Sequence, residues 1–154
     1  MGILTSGILS FLKIRFTYPD EFFPDFTISG LLKKVKVSGV RAIPCKLKGK
    51  VIGRGVPGLI WSEDFIIRDD SGIIFLDYRQ PLRIWEFFFG LMRSRDLQNT
   101  EVEIDGWYRR SPVPYIELKT LKAAEMTQRC YVYPVKKIVA ISTILIGLFL
   151  LSLG

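Results

Sequence analysis

The run IVAISTILIGLFLLSLG, from Ile138 to Gly154, constrains this chain more than any other segment, because it holds no charged residue and no proline. A helix apolar on every side needs either a large protein core or lipid around it. A chain of 154 residues has little core to spare for that purpose. At about 1.5 Å per residue the run reaches about 25 Å, slightly short of the roughly 30 Å hydrocarbon core of a bilayer. Lys136 and Lys137 precede it, with Tyr131 and Tyr133 just before them, which is the basic and aromatic flank of a membrane span. We therefore expect a single-pass transmembrane helix over 134–154, a tail anchor or a truncated span. Its membrane-anchor residues would be Lys136, Lys137, Ile138, Leu145, Phe149 and Leu151, with lipid as their partner. The positive-inside rule puts the preceding domain in the cytoplasm.

The middle of the chain carries a different signal. In KLKGKVIG, from Lys46 to Gly53, Lys46, Lys48 and Lys50 share one face, while Leu47, Gly49 and Val51 share the other. DFIIR, from Asp64 to Arg68, supplies a second strand ending in the turn Asp69-Asp70-Ser71-Gly72. IIFLDY, from Ile73 to Tyr78, supplies a third. Between Pro81 and Arg95 the period shifts towards that of a helix, and Pro81 suits a helix start. EVEIDGWYRR returns to alternation over Glu101 to Arg110, and Tyr115 to Leu121 forms the last strand.

Three strands, a helix and two strands within about 80 residues is the order of an OB-type five-stranded Greek-key barrel whose inter-strand helix plugs one end. Gly49 and Gly53 suit the coiling of so small a barrel. The fold class is thus mainly β, one barrel with a C-terminal transmembrane helix. Its organisation would be an N-terminal helix and extended arm over 1–39, the barrel over 40–128 and the membrane segment over 134–154. The apolar stretch from Ile3 to Ile14 lacks the charged start of a signal peptide and reads as a surface or interfacial helix.

The chain has no histidine. The commonest general base, the commonest zinc ligand and every Ser-His or Cys-His pair are therefore missing together. Cys45 and Cys130 have neither zinc-site spacing nor disulfide-scaffold density, and read as ordinary thiols. The acidic residues around Asp69 and Asp70 suit local hydrogen bonding in a turn. No cofactor and no metal site is expected, and the chain is not expected to be an enzyme by itself.

GKVIGRGVPGLIWSEDFIIRDDSGIIFLDYRQPL and the later EVEIDGWYRRSPVPYIEL resemble the C-terminal region of prokaryotic HtpX-like membrane metalloproteases. In that family a barrel-like appendage follows a peptidase domain whose HExxH helix holds zinc. This chain has no such segment, so the resemblance reaches only the non-catalytic part and carries over no catalytic residue. It implies a fragment or stand-alone relative of the accessory domain.

Net charge is +7, spread from Lys13 to Lys137 with acidic residues interleaved. Nucleic acid and anionic lipid are the partners such a balance suggests. The expected function is a non-catalytic, membrane-tethered binding or regulatory module with a membrane-protein partner. The alternative is a single-strand nucleic-acid-binding OB-fold, in which rings stack on bases while cations meet phosphates. Candidate partner-binding residues are Trp61, Tyr78, Trp85, Phe88, Trp107, Tyr108, Arg109 and Arg110. Against the nucleic-acid reading, Glu103, Asp105 and Glu117 share the sheet with the lysines, and mixed sign repels phosphate as well as attracting it. Trp61 and Trp107 also suit packing, and the apolar segment around Trp85 and Phe88 calls for a cover.

Overall fold

The computed structural model describes residues 2–54, 65–81, 97, 99–124 and 126–153. The strands are β1 (Ile43–Arg54), β2 (Phe65–Asp69), β3 (Gly72–Asp77), β4 (Glu101–Arg110), β5 (Pro114–Ala123) and β6 (Met126–Arg129). The helices are α1 (Gly2–Thr17), α2 (Ile28–Leu32) and α3 (Val132–Ser152).

The sheet runs β3, β2, β1, β4, β5, β6, and an additional β3 to β5 pairing closes it. That closing pair is parallel, from Phe75 opposite Tyr115 to Asp77 opposite Glu117, whereas the other strand pairs are antiparallel. Five strands thus form a closed barrel, as expected. Alternation decides which side is in. Cys45, Leu47 and Val51 are buried, and Val102 and Ile104 on β4 meet them in the same core. Lys46 and Lys48 stand on the outer face, each opposite an acidic residue, Asp105 and Glu103.

Close approach of strands explains two glycines. A Cβ on Gly49 would lie 2.7 Å from the carbonyl oxygen of Arg68, and one on Gly106 would lie 2.6 Å from that of Glu117. Each contact is with backbone, which cannot step aside. The register shifts between Val51 and Gly53 and again between Asp105 and Gly106, and such bulges bend strands around a narrow barrel.

Three features depart from the expectation. β6 is an added strand, continuing β5 past its turn. The segment read as an extended arm belongs to the barrel: Ile28 and Leu31 of α2 are completely buried in the barrel core. Its backbone also pairs with β1, since Lys46 N–H donates to Pro24 O at 2.8 Å and Phe26 N–H to Lys46 O at 2.9 Å. Finally, the N-terminal helix does not stand apart from the C-terminal one, because α1 packs along α3. The expected helix between β3 and β4 lies outside the described residues.

Only Cys130 and Tyr131 separate β6 from α3. The 21-residue α3 is long and apolar enough to cross a membrane.

Candidate functional site: a joint and a groove at opposite ends of the barrel

The outer faces of β4 and β5 do not all meet water. Where α1 ends and α3 begins, they are covered, and the covered residues form a buried polar network. Arg109 is 2% exposed and Glu117 8%. Arg109 Nε donates to Glu117 Oε2 at 2.7 Å, Nη1 to Gly39 O at 2.7 Å and Nη2 to Thr17 O at 3.0 Å. The fork geometry of guanidinium allows one side chain to bind three segments at once. Tyr18 Oη donates to Glu117 Oε1 at 2.9 Å, and Lys136 Nζ donates to Tyr18 Oη at 2.7 Å. Burial first, and then the Glu117 charge, pushes the Tyr18 phenol well above its ordinary pKa, so it stays a donor.

Aromatic packing surrounds this network. Trp107 lies edge-on to Tyr18, with ring centroids 5.0 Å apart, and 5.3 Å from Tyr133 of α3. Its indole Nε1 donates to Pro19 O at 2.8 Å. Arg109 also sits 4.8 Å above the Tyr18 ring, and Lys119 lies 4.4 Å from that of Phe23 while pairing with Asp20. The end of α1, the start of α3 and two barrel strands are therefore locked together.

A groove of about 830 Å³ opens at the other end of the same strands. Lys48, Lys50, Arg68 and Lys122 line it together with Asp69, Asp70, Glu101 and Glu103. Glu103 lies between lysines, 3.6 Å from Lys48 and 3.5 Å from Lys122. Desolvation opposes its charge, but Lys46, Lys122 and Lys48 together outweigh it and hold the carboxyl below its usual range. Such a surface offers both signs in alternation, the pattern that matches a protein face more readily than a polyanion.

Asp69 at the rim is spent locally. Its carboxylate accepts from Ile28 N at 2.8 Å, Ser71 N at 2.7 Å, Ser71 Oγ at 2.7 Å and Gly72 N at 2.9 Å. It thereby closes the β2–β3 turn and ties α2 to it, the local hydrogen bonding the turn sequence suggested. Among the described residues no group of three or more metal-ligating side chains comes together.

The candidate residues from the sequence divide clearly. Trp107 and Arg109 belong to the joint, Tyr108 is wholly buried in the barrel core, and Tyr78 is buried beside Phe65, its hydroxyl accepting from Gln80 and Gln128. These four spend their surface on their own chain and offer none to an outside partner. Arg110 is exposed. Trp61, Trp85 and Phe88 lie outside the described residues. Sequence reasoning missed Tyr18, which lies 99 positions from Glu117 in the chain, and missed Glu117 as the partner of Arg109 although only eight positions separate them. No protein-family model and no curated protein matches the chain.

Proposed function

We propose that this chain is a non-catalytic barrel module held at the cytoplasmic face of a membrane, presenting its mixed-charge groove to a membrane-associated protein. The observation that carries this reading is the joint. A barrel hung on a flexible linker would take any orientation, whereas Arg109, Glu117, Tyr18 and Lys136 fix this one to the root of an apolar helix. Ile43 pairs with Tyr108, and Lys50 with Glu101. The groove is thus about six residues along β4 from the joint, or about 20 Å at roughly 3.3 Å per residue. A barrel seated by the joint points its groove away from lipid.

Kinship with the accessory barrel of HtpX-like proteases is part of the proposal and rests on the resemblance of the strand sequences. A role beside a membrane protease would follow from it. The nucleic-acid alternative draws no support from Trp107, Tyr108 and Arg109, which are buried in the chain itself.

The test has two parts. Full-length chain is expected to resist carbonate extraction from membranes, and a chain lacking 138–153 to become soluble. A photo-crosslinking residue at Ile52, on the groove wall, is expected to capture a membrane protein. Full chain found in the soluble fraction would sink the tether. Binding of oligonucleotides at low salt, declining steeply as salt rises, would favour the alternative.

A further inference from the structure

Glycines bring α1 and α3 into backbone contact. A Cβ on Gly7 would lie 2.9 Å from Ile144 N, and one on Gly147 would lie 2.8 Å from Leu4 N and Cα. Residue 7 beside 144 and residue 4 beside 147 define an antiparallel pair, in which the start of α1 lies level with the last turns of α3.

The side chains are distributed opposite to the arrangement in water. The buried residues of the two helices are Gly7, Ala140 and Gly147, all small. Large apolar ones point outward: Leu9 is 67% exposed, Leu12 55%, Leu145 59% and Phe149 63%. Helices in water bury the large residues and expose polar ones, whereas helices in lipid associate through small residues and leave large apolar ones outside.

Three of the hydroxyls follow the same rule. From Gly2 to Leu12, and from Ile138 to Leu153, neither helix carries a charge. Thr5 Oγ1 donates to Gly2 O at 3.0 Å, Thr143 Oγ1 to Val139 O at 2.8 Å and Ser152 Oγ to Phe149 O at 2.7 Å. Hydroxyls bonded back to their own helix need no water. The cations, Lys13, Arg15, Lys136 and Lys137, gather at the barrel end. Phe16, Phe22 and Tyr131 are exposed near that end, and aromatic rings of this kind favour the headgroup region of a bilayer.

We infer that α1 is a second bilayer-embedded segment, seated against α3 by the Gly7 and Gly147 contacts, with lipid acyl chains as the partner of its outward face. This deepens the proposed membrane attachment and rests on it. An interfacial helix would lie across α3 with one strongly polar face. α1 instead runs along α3, and its outer face up to Leu12 is uncharged, with Ile3, Ile8, Leu9 and Leu12 exposed beside the small hydroxyls of Thr5, Ser6 and Ser10. The anchor is then a helix pair rather than a single pass.

The test places a nitroxide on Leu9→Cys or Leu145→Cys of the full chain in vesicles of phosphatidylcholine and phosphatidylglycerol. The native thiols, Cys45 and Cys130, are buried. Collision with oxygen and exclusion of a water-soluble nickel chelate are expected at both positions. Nickel contact at Leu9 with exclusion at Leu145 would overturn the inference and leave the tether standing, whereas nickel contact at both would remove both. Exclusion of both reagents at Leu9 would mean that protein covers it, and would also overturn the inference. Gly147→Leu is expected to shift the Leu9 label towards the aqueous phase while Leu145 stays in lipid. An unmoved Leu9 would overturn the seating by glycine contact.

Discussion

Arg109 shows how much can depend on one side chain. Its three donors satisfy Glu117 and two backbone carbonyls inside the joint. Truncation would leave the Glu117 carboxylate buried without its cation, which costs about 3–5 kcal/mol. Arg109→Ala is thus expected to lower the unfolding free energy by that order in denaturant titration, and Arg109→Lys to recover only part of it, because an ammonium cannot copy the fork. Asp69 makes a pH-dependent contribution. Burial opposes its charge, but hydrogen bonds from Ile28, Ser71 and Gly72 outweigh that and hold its folded pKa below the usual value. A depressed carboxyl stabilises the fold above its unfolded pKa of about 4 and loses that contribution as pH falls through the folded value. Unfolding midpoints measured from pH 6 to pH 2 should therefore decline at the acid end, and Asp69→Ala should flatten part of that decline. Cys45 is pushed up to about 12 by burial, so maleimide at pH 8 should leave it unmodified until the barrel unfolds.

At the scale of elements, the strands were largely legible because a two-residue period needs only local sequence. KLKGKVIG and EVEIDGWYRR alternate visibly, and each strand boundary falls within about three residues of the expected one. β6 was not legible. Met126 to Arg129 carries little apolar alternation, and it becomes a strand because the open edge of β5 pairs with it. α2 was missed for a related reason, since its five residues show no helical period and are held by Thr27 capping and barrel burial. Gly106 gives the sharpest test of barrel closure. Gly106→Ala forces a methyl against Glu117 O, and strain of about 1–3 kcal/mol is expected from such overpacking. Gly53→Ala, whose nearest neighbour would be 3.8 Å away, serves as the comparison and should be mild in the same thermal unfolding assay.

Across the whole molecule, the joint and the groove occupy opposite ends of the barrel. The joint is largely buried, hydrogen-bonded and aromatic, while the groove is open and carries exposed charges. Exposed ion pairs contribute little to stability, about 0–1 kcal/mol each. Lys48→Ala together with Lys122→Ala should leave the unfolding midpoint nearly unchanged while reducing photo-capture from Ile52; a large loss of stability would instead make the groove a structural feature.

The sequence by itself determined the closed barrel and the apolar helix, since both follow from periods and runs that neighbouring residues already express. Only the tertiary structure decided what Trp107 and Arg109 do, because their outward positions on β4 would meet solvent unless α1 and α3 covered them. It likewise decided the environment of α1, whose glycine matters only once Ile144 is beside it. Hydrogen bonds between residues 70 to 118 positions apart leave no periodic trace in a chain, and, Arg109 to Glu117 aside, those of the joint are of this kind.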